Sequence, residues 1–258
     1  MATEMHQVID AARLAASLIL ENGGETYRAE ETAGRIGQAF GCEMDIIALP
    51  TGLTMTVTKD GESASSIARV NRRTVDLSKL EAVNAISRAL SAHTLELDDA
   101  QKQLDEIRAA GTPAGFGSVL AAGGSAAMFA VMFGGGWFEF LVTGLVSMAI
   151  QALLIFVPDQ GGVPLGCLLG GFFAAALTLI TVSLCGMGNV SLIIWSIIMP
   201  QLPGLAFTNG IRDSMRGDMV SGGARVTDAV MRAVVLAGGA GIAMWCYLRL
   251  GGAATWLM

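Results

Sequence analysis

"SLIIWSIIMPQLPGLAFTNGIRD", residues 191–213, decides how the chain is read. Its first eight residues suit the inside of a bilayer. Pro200, Gln201, Pro203, Gly204, Thr208 and Asn209 then follow, and the stretch ends on Arg212 and Asp213. A membrane helix carrying two prolines, an amide and a glycine in and beyond its middle is either kinked or built around a site. The rest of the chain decides between these readings.

Working outward, the charges divide sharply. Of 16 Lys and Arg among 258 residues, 11 precede residue 113 and 5 lie from Arg212 onward. Between Pro113 and Ile211 there is no base, and Glu139 and Asp159 are the two acids. About 100 residues with two charges cannot form the surface of a soluble domain, so this part reads as membrane. Residues 1–112 hold 17 acids against 11 bases, which accounts for the net charge of −6. That region is amphipathic and reads as soluble, and its acidity argues against nucleic acid as a partner. Four cysteines without a C-x-x-C pair and two isolated histidines (His6, His93) point to no metal site and no cofactor.

The soluble region, 1–112, reads as a small ααβββαα domain. Ile9, Ala12, Ala16, Ile19 and Leu20 share a helix face, and Gly23-Gly24 ends that helix. A second helix starts near Thr26 as N-cap, with Glu30 and Glu31 at the positive end of its dipole. Strict alternation in "LTMTVT" puts Leu53, Met55 and Val57 on one strand face, after a bend at Pro50-Thr51-Gly52. "KDGE" signals a hairpin turn. Ser78 with Glu81 reads as a capping box, and Ala100, Leu104 and Ile107 mark a last helix before Gly111 and Pro113.

The membrane domain, 113–258, offers five spans of roughly 20 residues each: about 115–134, 137–157, 163–184, 190–211 and 227–249. Arg212, Arg216, Arg225 and Arg232 cluster between the last two. Four spans separate them from the bases of the N-terminal region, so both lie on the cytoplasmic side by the positive-inside rule. Arg249 and the C-terminus are then outside, with Trp256 as an interfacial anchor. Small residues at Gly162, Gly166, Gly170 and Ala174 suit close helix packing, as do Ala121, Gly124, Ser125 and Ala126 and the trio Gly238, Gly239 and Gly241. So many glycines suggest that one face meets another subunit, making a homo-oligomer a candidate.

In span four, Pro200 and Pro203 each remove a backbone donor, which leaves carbonyls near 196–199 without helical partners. One proline alone is a kink satisfied by a neighbouring hydroxyl. Two prolines, a glycine, a glutamine and an asparagine in ten residues favour a discontinuous helix of the kind that forms transport sites. Arg216, Asp218 and Arg225 in the following loop could form a gate or simply a solvated charged face. Asp213, Asp218 and Glu139 are the candidate proton carriers, although Glu139 sits close enough to a span end to lie among headgroups.

"GGETYRAEETAGRIGQAFG", "ALPTGLTMTV", "IARVNRRTVDLSKLEAVNAISRAL" and "LPGLAFTNGIRDSMRGDMVSGGAR" together resemble the threonine/serine exporter family. Matching positions are Gly24, Glu25, Thr26, Arg28 and Glu31, then Pro50, Thr51 and Gly52. Arg69, Arg73, Leu77, Lys79, Leu80, Asn84 and Arg88 follow, and last come Pro203, Gly204, Asn209, Arg212, Asp213, Gly217, Asp218, Gly222 and Arg225. The resemblance implies a cytoplasmic domain ahead of a bacterial inner-membrane domain, and export of threonine and serine driven by the proton gradient. With five spans the chain resembles the larger subunit of the two-chain form, which implies a small integral-membrane partner. Some split pairs are instead associated with succinate, so a dicarboxylate is the alternative substrate. Readings of another class are a membrane-embedded hydrolase or a non-transporting sensor. No H-E-x-x-H, G-x-S-x-G or Walker loop supports the former.

Overall fold

The computed structural model describes residues 2–71, 74–111, 115–155 and 162–251. Arg73, Pro113, Asp159 and Trp256 lie outside the described residues. The chain is mostly helical, with one small sheet, and divides into two compact units. One comprises Met1–Thr112 with Leu205–Thr227, the other Pro113–Gly204 with Asp228–Met258.

The first unit is organised around α1 (Ala2–Glu21). Val8, Ala11, Leu14, Ala15 and Leu18 are buried along with the expected Ile9, Ala12, Ala16, Ile19 and Leu20. The buried surface therefore extends well beyond one stripe, while His6, Gln7, Asp10 and Arg13 keep a polar side outward, where Arg13 pairs with Asp10 at 3.1 Å. Around it pack α2 (Thr26–Ala39), α3 (Leu77–Ser91), α4 (Leu97–Ala109) and an antiparallel meander of β1 (Glu43–Leu49), β2 (Gly52–Lys59) and β3 (Glu62–Arg69). Leu53, Met55 and Val57 of the central strand point into the core, as their alternation predicts. Leu49 pairs with Gly52 and Lys59 with Glu62, so both connections are two-residue turns. Asp60 and Gly61 both have positive φ, 50° and 83°, which matches the strand twist.

Three local expectations change. Thr26 is not a cap: Glu25 holds the N-cap position of α2 and makes no side-chain cap bond. Glu30 and Glu31 lie beyond the first turn, where Glu31 pairs with Arg35 at 2.7 Å. Ser78 does not cap α3 either, because Asp76 accepts from the N–H groups of Ser78 and Lys79 at 3.1 and 3.2 Å. Aspartate is the better acceptor at that position, being charged and aligned with the helix dipole.

The second unit contains α5 (Phe116–Met132), α6 (Trp137–Ile155), α7 (Gly162–Cys185), α8 (Val190–Ile198) and most of α10 (Met219–Arg249). Among the described residues three helices are long and apolar enough to cross a membrane, or four if the broken pair α8–α9 counts as one span, where α9 is Gly204–Met215. The span expected at 115–134 is a helix of 17 residues, which rises about 25 Å, short of a full hydrocarbon core. The span expected from 227 starts earlier. Gly217 (φ 95°) turns the chain and Asp218 Oδ1 accepts the Ser221 N–H at 3.3 Å, so α10 begins at Met219 and Arg225 lies in a helix rather than a loop.

Glycine contacts set the packing at part of the expected positions, Gly170 and Gly239 among them, and at Gly171, which the stripe left out. Gly166 faces open space, whereas a Cβ on Gly171 would lie 1.9 Å from the Leu236 carbonyl of α10. One on Gly239 would lie 2.1 Å from the Leu168 carbonyl. Backbone therefore touches backbone where α7 crosses α10, an approach that only a missing side chain permits. In α5 it is Gly123, not Gly124, that fills this role against Gly144 of α6. Glu139 clips two connections of this unit, accepting the N–H groups of Gly136 (2.9 Å) and Asn189 (3.1 Å).

Candidate functional site

The interruption foreseen from the prolines is present in the second unit. After α8 the chain makes a single 3-10 turn, Met199–Gln201, and Leu202 is extended (φ −65°, ψ 138°) before Gly204 starts α9. Pro200 lies at the start of that turn and Pro203 in the extended joint, each where no backbone donor is required. The carbonyls are less exposed than expected. Gln201 Nε2 donates to the Ile197 carbonyl at 3.1 Å, and the Leu202 N–H donates to Met199 at 3.2 Å. Gln201 Oε1 lies where a Cβ on Gly170 of α7 would stand 2.3 Å away, so Gly170 makes the room that this amide occupies.

The other half of the expected site belongs to the first unit. There α9 and the first turns of α10 form a hairpin closed by glycine: a Cβ on Gly222 would lie 2.5 Å from the Gly210 carbonyl. This hairpin docks on the Gly23-Gly24-Glu25-Thr26 turn through polar contacts. Asn209 Nδ2 donates to the Gly23 carbonyl (2.9 Å), and an Arg225 Nη donates to the Gly24 carbonyl (2.7 Å). The Thr26 hydroxyl donates to Asp218 (2.9 Å), and Arg212 pairs with Glu25. Arg225 Nε also lies 3.0 Å from Asp213, with side-chain exposures of 10 and 0%. The guanidinium reaches further, to the Gly24 carbonyl, whereas Asp213 Oδ1 is buried without a hydrogen bond among the described residues, so the pair rests on its charge contact and on that one carbonyl.

Around this core the charges are shared out. Glu30 Oε1 accepts the Ala48 N–H at 2.9 Å, and Ser221 reaches the Ala48 carbonyl at 3.5 Å, so the strand before the Pro50 turn joins the cluster. Burial pushes the Glu30 carboxyl up; the Ala48 N–H opposes this, and the nearby charges of Asp218 and Asp213 add to it. Arg216 stacks on the Tyr27 ring at 3.5 Å, and Arg28 stands 4.0 Å from Glu25. Thr208 is exposed.

The remaining motif residues serve the frame. Pro50 is buried, Thr51 exposed, and a Cβ on Gly52 would lie 2.7 Å from the Ala68 carbonyl. Lys79 donates to the Ala110 carbonyl, Asn84 is half-buried, and Arg69 and Arg88 are exposed. Sequence reasoning used Arg232 for orientation alone and passed over Asp228; the two pair at 2.7 Å on α10 within the second unit. Their spacing of four on a helical face was the available signal.

The model of the family described as "Putative threonine/serine exporter" matches residues 10–247. A "Probable threonine/serine exporter" of Mycobacterium tuberculosis is 24% identical over 87% of this chain and 43% of its own length. A "Probable succinate transporter subunit YjjP" of Klebsiella aerogenes is 24% identical over 80% of this chain and 81% of its own. A "Threonine/serine exporter" of Corynebacterium glutamicum is 29% identical over 67% and 37%. The chain thus spans less than half the length of the two relatives named exporters. No solved structure matches. A family match over residues 10–247, reaching across both units, leaves one conclusion: the chain belongs to the threonine/serine exporter family.

Proposed function

We propose that this chain is the larger subunit of a two-chain secondary exporter in a bacterial inner membrane. It moves threonine and serine outward, is driven by the proton gradient, and works with a small integral-membrane partner. Residues 1–112 form its cytoplasmic domain and the C-terminus lies outside. The observation that carries the reading is the interrupted helix at Met199–Gln201, where a side-chain amide stands against a glycine of the neighbouring apolar helix α7. Broken helices of this kind supply polar groups at membrane depth without exposing them to lipid.

Pro200, Gln201, Pro203 and Gly204 line the translocation path in this proposal. The cluster of Asn209, Arg212, Asp213, Arg216, Asp218 and Arg225 is the cytoplasmic gate. Asp213 and Asp218 carry the coupled proton, and Glu139, whose two oxygens are both used as backbone acceptors, serves the connection instead. The two-chain arrangement is supported by coverage: four-fifths of the succinate transporter subunit is spanned, but under half of each exporter. That same relative supports a second reading, in which the substrate is a dicarboxylate.

The test is efflux of preloaded threonine, serine and succinate from cells making this chain with and without a small family partner. Threonine and serine efflux that needs the partner and falls at least about tenfold in Gln201→Ala is the expected result. Efflux of none of the three, with both chains in the membrane, overturns the reading.

A further inference from the structure

We propose that Arg232 and Asp228 of α10, together with the Gln201 amide, bind the zwitterionic headgroup of a small α-amino acid. Arg232 takes the carboxylate, Asp228 the ammonium, and Gln201 Oε1 the side-chain hydroxyl. The inference deepens the transport reading above and rests on it.

An ion pair is costly on a helix whose neighbouring residues are Val230, Met231, Val234 and Leu236. The Arg232–Asp228 contact at 2.7 Å uses one nitrogen of the guanidinium. Its Nε is buried without a hydrogen bond among the described residues. Both side chains keep partial access, at 24 and 35% exposure, so the pair is neither sealed in the core nor fully solvated. A planar donor fork with unused positions is suited to a carboxylate.

Two adjoining helices bring the pair to the broken helix. On α7, Gly170 makes room for Gln201 and approaches Leu236, itself one turn beyond Arg232. Gln201 Nε2 is held by the Ile197 carbonyl, which leaves Oε1 to accept. The α10 turn that follows Arg232 thus meets the α7 turn that seats the Gln201 amide, within the second unit.

Charge balance then selects the ligand. Empty, the two side chains neutralise each other. A zwitterion replaces that contact with two new ones and brings no net charge, so nothing uncompensated enters an apolar region. A dicarboxylate brings two negative charges against one arginine and meets Asp228 as a like charge.

The experiment measures binding of threonine, serine and succinate to the purified full chain in lipid nanodiscs, with threonine efflux from cells in parallel. Wild type is expected to bind both amino acids and not succinate. Asp228→Asn loses about tenfold or more in threonine affinity while its succinate affinity rises, because the repelling charge is gone. Arg232→Gln loses both. The exchanged pair Asp228→Arg with Arg232→Asp keeps a helical ion pair, and so a folded protein, yet still loses threonine. Threonine binding unchanged in all three variants, or wild type preferring succinate, overturns this site while leaving transport intact. Absence of any efflux in wild type strikes the transport reading itself.

Discussion

Each unit holds an aspartate–arginine pair, the first buried and the second partly exposed, and the two are held differently. Asp213–Arg225 joins α9 to α10, and the same arginine bonds the Gly24 carbonyl 201 residues away in sequence. Asp228–Arg232 sits on one helix at a spacing of four and bonds to no other element among the described residues. The first pair is tied into a network whose members come from distant parts of the chain, which is what a structural keystone requires. The second is local and self-contained, and it leaves donor capacity unused. Sequence spacing alone hides this contrast, since both pairs would count as charges near one end of a span.

Three substitutions, one of them with a control, distinguish how firmly each part of the two units is held. The largest effect is expected for Arg225→Met, which strands Asp213 without its counter-charge and leaves the Gly24 carbonyl without a donor. A loss of about 3–5 kcal/mol follows, read as a fall in the thermal unfolding midpoint of the full chain. A change within about 1 kcal/mol would reduce the cluster to an ordinary surface pair. Next is Gly239→Val, whose methyl groups would enter the Leu168 backbone; about 1–3 kcal/mol is expected. Gly241→Val, which faces open space, serves as control and should unfold as wild type does.

The smallest effect is Glu30→Gln. Because the folded carboxyl is pushed up, the charged form opposes folding: the cost is absent below the ordinary carboxylate range and grows as pH rises through the raised value. Glutamine keeps the acceptor for the Ala48 N–H and removes the charge beside Asp213 and Asp218. The variant should therefore melt about 1–2 °C higher than wild type at pH 7, with the advantage gone near pH 4. An advantage that persists at acidic pH would refute the electrostatic origin.

What the sequence made legible is what neighbours in sequence decide. The alternation in "LTMTVT", the Asp60-Gly61 turn and the break at Pro200–Pro203 all appear where local chemistry places them. Thr26 shows the limit. It has every local mark of a helix cap, yet its hydroxyl donates to Asp218, 192 residues on. Gly222-Gly223 likewise reads as a loop, but Gly222 lies inside α10 because the Gly210 backbone of α9 passes too close for any side chain. Tertiary contact overruled local preference in both places. The candidate site was half legible for the same reason. The helix break falls where the prolines place it, whereas Asn209, Arg212 and Asp213, close by in sequence, belong to the other unit.

The first unit is discontinuous, completed by Leu205–Thr227, and this orders its biosynthesis. Glu25, Thr26 and the carbonyls of Gly23 and Gly24 leave the ribosome early, but their partners emerge only after α5 to α8 have been made. At about 5–20 residues per second, the nascent domain waits on the order of ten seconds with its polar turn open to water. Its hydrophobic core draws on residues between Met5 and Ile107, so what waits for Arg225 is the polar turn alone, and the docking of that turn reports that α5 to α8 have already been synthesised.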